Sequence, residues 1–328
     1  MNKVCAASLR NWADSYDLPD IHKSESGRMV GFPRDRAKLI NLEELVLVSS
    51  GVAELPEEIG DLQNLTKLWL HDNRLSNLPQ SIGRLHHLTV LSLGENYIQT
   101  LPEGIGGVYR LEKLWLQSNG LMELPAEIGN LGHLKKLWLY SNALENLPGE
   151  IGNLKSLLVL DIGKNRLRVL PDQIGNLSNL EKLSIADNML CTLPDTFEKL
   201  TNITKLWAHN NGFEELPKVI GKMHHLSKIY FYQNRLAALP EEIGLLSHLT
   251  TLNVSKNRLV SLPDSIGALS SLGVLHLGNN ALTQLPESIV NLQRLQYLDL
   301  SGNPSLVLSR TQKAWIEALI SNGCKVKL

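Results

Sequence analysis

Four of the six tryptophans, Trp69, Trp115, Trp138 and Trp207, each follow a Lys-Leu pair. A two-residue step from Lys to Trp is the spacing of a strand whose alternate side chains share one face. An ammonium group beside an indole is equipment for gripping a partner, since aromatic rings attract cations and dominate binding hot spots. The same face collects further aromatic and basic residues, and the candidates fall into two groups. The first is Lys67, Trp69, His71, Lys113, Trp115, Gln117, Lys136, Trp138 and Tyr140. The second is Lys205, Trp207, His209, Lys228, Tyr230 and Tyr232. Asp161, Gly163, Ser184 and Ala186 lie between the groups, and Ser92 and Gly94 are expected to notch the first. Lys113 and Lys136 stand about one strand spacing apart, where like charges repel, and an acidic partner would relieve them.

Bond-making chemistry has no comparable signature. The chain contains neither a Gly-x-x-x-x-Gly-Lys phosphate loop nor a His-Glu-x-x-His segment. His87, His133, His225 and His248 share one register, but no Cys or carboxylate joins them in a ligand set, so they read as structural or solvated. Nothing beside Cys191 would activate its thiol. The expectation is a chain with no catalytic site, cofactor or metal, and not an enzyme.

The elements that must position this face repeat strictly. Asn73, Asn96, Asn119, Asn142, Asn165, Asn188, Asn211, Asn234, Asn257, Asn280 and Asn303 recur every 23 residues, with Ser50 in the preceding place. That makes twelve units without insertion, an array whose neighbours must stack to bury their leucines. Around Trp115, Leu114 and Leu116 are expected to point inward and Lys113, Trp115 and Gln117 outward. Leu-Pro excludes a helix at the residue before proline, so each unit returns through an extended or 3₁₀ segment. The repeated Asn is assigned to satisfying backbone groups where the strand turns away.

Each unit reads Leu-x-x-Leu-x-Leu-x-x-Asn-x-Leu followed by Leu-Pro-x-x-Ile-Gly-x-Leu, as in Leu55-Pro-Glu-Glu-Ile-Gly60 and Leu239-Pro-Glu-Glu-Ile-Gly244. This resembles the leucine-rich repeat family, in the form found in intracellular Ras-binding scaffolds, plant relatives, polarity scaffolds and bacterial proteins. The resemblance implies an α/β leucine-rich-repeat solenoid, curved, with a parallel β-ribbon on the concave face, 3₁₀ or extended convex segments and helical caps. It also implies a non-enzymatic scaffold that binds protein. Repeats copied from one ancestral Lys-Leu-Trp-Leu unit would show the same tryptophan column without selection for binding.

The expected domains are an N-terminal cap over 1–41, repeats over 42–303 and a C-terminal cap over 304–328. In the first cap, Val4, Ala7, Leu9 and Trp12 suggest an amphipathic helix, 16–34 with Pro19, Gly27, Gly31 and Pro33 reads as an irregular loop, and Asp35 caps a turn. In the last, Ser309 and Gln312 form a candidate capping box, Gly323 a helix stop and 324–328 a final strand. Between Asn188 and Asn234 the pattern loosens: Phe197, Phe213 and Phe231 replace aliphatic residues while Ala208 replaces a core Leu. This reads as volume compensation.

Formal charge is −1, no apolar run is long enough to span a bilayer, and no secretory leader is evident. Cys5, Cys191 and Cys324 are too far apart in the stack to pair, which suits a reducing compartment. The expected location is cytoplasmic, or a host cytoplasm reached by a signal-peptide-independent secretion system, as for a bacterial effector. The expected partner is a protein or peptide of acidic character, not a membrane; self-association is a further outcome. The alternatives are single-stranded nucleic acid or another polyanion on the aromatics, disfavoured by the neutral charge, or the substrate-recognition part of a ligase acting in trans. A ligase's catalytic domain does not fit in the 25 residues after Asn303.

Overall fold

The computed structural model describes residues 3–24 and 28–328. The chain forms two compact units, Met1–Asn165 and Arg166–Leu328. In the first, six three-residue strands pair in parallel: β3 Glu44–Val46, β4 Lys67–Trp69, β5 Val90–Ser92, β6 Lys113–Trp115, β7 Lys136–Trp138 and β8 Val159–Asp161. The second holds β9 Lys182–Ser184, β10 Lys205–Trp207, β11 Lys228–Tyr230, β12 Thr251–Asn253, β13 Val274–His276, β14 Tyr297–Asp299 and β15 Lys325–Lys327, also parallel.

Pairing is in register, unit for unit, because every unit has the same length. Leu114 and Leu116 are fully buried while Lys113, Trp115 and Gln117 stay partly open, as the alternation requires. Burying a leucine contributes about 1.5–3 kcal/mol, and each unit repeats that gain only because the next unit covers it.

Two devices join the units. One is the asparagine. Asn96 is 5% exposed; its Oδ1 accepts the Leu75 amide at 3.0 Å, and its Nδ2 donates to the Leu70 and Leu93 carbonyls at 2.9 and 3.0 Å. One side chain thus satisfies groups of its own unit and of the previous one, and Asn73, Asn234 and Asn257 repeat the arrangement. The other is the return segment. After each Leu-Pro the chain makes a five-residue 3₁₀ turn, such as Glu57–Asp61 and Glu241–Leu245, whose isoleucine is buried. These turns pack backbone to backbone. A Cβ on Gly60 would lie 2.3 Å from the Ser81 carbonyl oxygen, which is why Ile-Gly recurs. Glu198 stands at that glycine position in the irregular unit. Its carboxylate is held below the usual range by Lys222, with which it forms an ion pair.

A backbone feature escapes the sequence. The residue before each repeated Asn lies in the left-handed region, from φ 52° at Lys164 to φ 70° at Gly302, as does Ser49 before Ser50 at φ 52°. Only Gly302, at φ 70°, announces it by residue type.

The N-terminal segment differs from expectation in two respects. Helix α1, Lys3–Ser15, buries Cys5, Ala6, Leu9, Trp12 and Ala13, whereas Val4 is 78% exposed. The buried stripe is therefore turned from the predicted one, because Cys5 and Ala13, small and weakly apolar, fit against the first repeat where Val4 does not reach. Trp12 packs at 5.4 Å on Phe32 and donates its indole N–H to the Glu54 carbonyl. Second, 16–34 is not wholly irregular. β1 His22–Lys23 and β2 Met29–Val30 form an antiparallel hairpin, and Gly31 bridges antiparallel to Val46. The hairpin forms because the exposed edge of β3 offers unpaired backbone groups. Gly27 lies outside the described residues. Asp35 caps helix α2, Arg36–Ile40, through the Lys38 amide.

At the other end helix α3, Arg310–Ser321, carries the complete Ser309–Gln312 capping box. Gln312, 1% exposed, also donates to the Leu285 carbonyl at 2.9 Å. Gly323 turns the chain at φ 88° into β15.

Candidate functional site

In the first unit the strands bring Trp115 and Trp138 opposite each other, and their rings stack 4.7 Å apart with planes 2° from parallel. Trp69 joins them at 5.8 Å from Trp115 although Ser92 stands between the two in strand order. Two strand spacings amount to about 9.6 Å, so the indoles lean together over the small serine. Ser92 is left only 5% exposed. Gly94 is covered as well: a Cβ there would come 2.3 Å from Gln117 Nε2. The expected notch is thus roofed, and the first group is one aromatic ladder. Small residues between large aromatic neighbours invite the neighbours to close over them.

The ladder is held at its start. The Arg28 guanidinium lies 5.0 Å from the Trp69 ring, and the Trp69 indole donates to Glu44 at 2.7 Å. Lys67 lies 4.0 Å from the same carboxylate. No sequence signal pointed to Arg28 or Glu44, because both contacts depend on the hairpin and strand packing. Farther along, Lys136 Nζ is 5.9 Å from the Trp138 ring and Lys164 Nζ 5.9 Å from Tyr140, itself 39% exposed. Lys113 and Lys136 are paired in register, and among the described residues neither forms an ion pair. His71 is half-buried beside Trp69.

In the second unit Trp207 stacks on Tyr230 at 6.0 Å and 5°, and His209 on Tyr232 at 4.3 Å and 8°. Lys205 and Lys228 are in register, and Lys182 extends the row on the other side. Lys182 belongs to the same column of the sequence and was missed only because Ser184 replaces its tryptophan. His209 Nε2 lies 3.7 Å from Asp187 Oδ2, and Asp187 Oδ1 accepts from Asn210 Nδ2 at 2.7 Å. Burial holds His209 below its ordinary value of 6.5, against the opposite pull of Asp187; burial likewise raises the Tyr232 phenol. A histidine kept neutral in the fold adds stability that is complete above its unfolded value and is lost as pH falls through the lower folded one. Between about pH 7 and pH 5 the melting temperature of the wild type should therefore fall more steeply than that of His209→Gln. Equal slopes would contradict this. Of the four histidines that share a register, His225 and His248 sit against backbone, with Nδ1 2.8 and 3.1 Å from carbonyl oxygens.

A half-exposed ladder of stacked indoles with unpaired ammonium groups, on strands joined by buried asparagines, defines a repeat protein with an open binding face. The leucine-rich repeat region model matches residues 33–124, 122–229 and 216–307, and the chain belongs to the leucine-rich repeat family. The fold is that family's α/β solenoid. A leucine-rich repeat protein of Leptospira interrogans is 31% identical over 90% of this chain and 98% of its own, with a TM-score of 0.47. An internalin, InlF, of Listeria monocytogenes is 21% identical over 99% of this chain and 88% of its own, with a TM-score of 0.77, and shares the fold. The plant peptide hormone receptor RGFR1, solved in complex with RGF2, is 25% identical over 88% of this chain and 56% of its own, with a TM-score of 0.61. No curated protein matches. Among the described residues no helix is long and apolar enough to cross a membrane.

Proposed function

We propose that this chain is a non-enzymatic scaffold that holds a protein or peptide of acidic character against its aromatic and lysine-rich sheet face. The observation that carries the reading is the Trp115–Trp138 stack flanked by Lys113 and Lys136, two half-buried cations without carboxylate partners. Contiguous exposed aromatics are unusual on a chain that binds nothing, and adjacent like charges on a sheet are destabilising until an anion answers them. The candidate binding residues are the two groups named above, one in each unit. Leucine-rich repeat proteins are typically binding modules, and RGFR1 was solved with a peptide partner.

The ring geometry supports a protein partner over single-stranded nucleic acid. Bases bind such surfaces by stacking on free ring faces. In the first unit the indoles stack on one another, so most of what Trp69, Trp115 and Trp138 offer is edges. Among the described residues no disulfide joins Cys5, Cys191 or Cys324, which fits a reducing cytoplasm, that of the cell of origin or of a host receiving the chain as an effector.

Affinity capture with the full chain, compared with a Trp115→Ala/Trp138→Ala double variant and read by quantitative mass spectrometry, tests the proposal. The expected result is a partner set lost from the variant at unchanged melting temperature. An identical captured set would sink it.

A further inference from the structure

The second unit contains a step in its open face. On β9 the outward positions hold Ser184 and, just beyond, Ala186, which is 3% exposed. On β10 the matching positions hold Trp207 and His209. Both rings rest one face on the next strand, against Tyr230 and Tyr232, with planes within 5° and 8° of parallel. The face of Trp207 turned away from Tyr230 consequently looks back over half-buried Ser184, whereas Ala186, 3% exposed, and the His209 side chain, 19% exposed, are largely covered. In the first unit the comparable depression is roofed by two leaning tryptophans; here, among the described residues, Trp207 has no ring contact other than Tyr230.

The two rims of the step carry opposite charge. Along one rim run Lys182, Lys205 and Lys228, in register on adjacent strands, about 4.8 Å apart. Among the described residues none of the three is ion-paired. Along the other is Asp187, 3.7 Å from His209, with its second oxygen occupied by Asn210. Beside it His209 Nδ1 is buried without a hydrogen-bond partner.

We infer that this step is an anchor subsite for one aromatic or branched aliphatic side chain of a peptide whose neighbouring residues are Asp or Glu. The inference rests on the reading of the face as a binding surface and names the chemistry that this part of it selects. The anchor lies on Ser184 against the open face of Trp207, where ring and alkyl groups gain dispersion and hydrophobic contact. The flanking carboxylates reach the lysine row, whose flexible stems absorb the difference between strand spacing and peptide rise. Asp187 accepts from backbone N–H groups of the bound segment. A nucleotide suits the step less well, because its phosphates would have to lie near Asp187 as well as near the lysines.

A random dodecapeptide phage library panned on the full chain tests this. Enriched sequences are expected to carry one aromatic or branched residue flanked by Asp or Glu. Their retention should fall about tenfold or more on Ser184→Trp, which fills the step, and on Lys182→Gln, a half-buried surface change that leaves the core alone. Retention on the Trp115→Ala/Trp138→Ala variant should hold. Enrichment of uncharged or basic sequences, or of none, overturns the inference. So do matching peptides that bind Ser184→Trp and Lys182→Gln as well as wild type. Peptides retained by both step variants but lost with Trp115 and Trp138 would reject the subsite while leaving the broader function standing.

Discussion

Asn96→Ala is expected to destabilise the first unit by about 1–3 kcal/mol, the cost of one buried backbone group left without a partner. The substitution strands the buried Leu75 amide, while the Leu70 carbonyl keeps only the Asn73 Nδ2 donor at 2.9 Å; the lost side chain is itself 5% exposed. Water cannot replace it, because the position lies between stacked leucines. Urea unfolding gives the magnitude, and hydrogen exchange at the Leu75 amide locates it. An unchanged midpoint with Leu75 still protected would show that the asparagine ladder is dispensable.

Phe231→Ala is expected to cost about 3–5 kcal/mol, the range for emptying a buried aromatic site. Phe231 and Phe213 are both fully buried, their ring centroids 5.2 Å apart, and Ala208 fills the Phe231 column in the preceding unit. If the phenylalanines fill what Ala208 leaves, the sites must be coupled. Ala208→Leu alone should overpack the unit by roughly 1–3 kcal/mol, whereas Ala208→Leu with Phe231→Leu should recover most of that loss. Additive effects in that cycle would mean that the aromatic cluster does not serve to compensate volume.

Much of this architecture was readable because its causes are local and repeated. The 23-residue recurrence of Asn, the inward Leu114 and Leu116, the 3₁₀ turn after each Leu-Pro and the Ser309–Gln312 box each follow from a few neighbouring residues. What stayed hidden depends on neighbours in space. Except at Gly302, the left-handed residue before each Asn is Ser, Asp, Glu, Lys, Asn or Gln, so composition does not mark it. The buried side of α1 was decided by the shape of the first repeat, which leaves Val4 outside. The outward column of tryptophans was legible from alternation, but not its use of space. Trp69 and Trp115 close over Ser92, Arg28 caps Trp69, and Ser184 stays partly open.

Hydroxyl-radical footprinting of the full chain, alone and with the partner that capture yields, addresses the binding face most directly. In the free protein Trp115, Trp138 and Trp207, all half-exposed, should oxidise readily, and Trp12 and Trp315, 8% and 5% exposed, should resist. With partner bound, Trp115 and Trp138 should become protected while Trp12 and Trp315 do not change. Oxidation of Trp115 and Trp138 at the same rate in the complex would place the partner elsewhere and contradict the account.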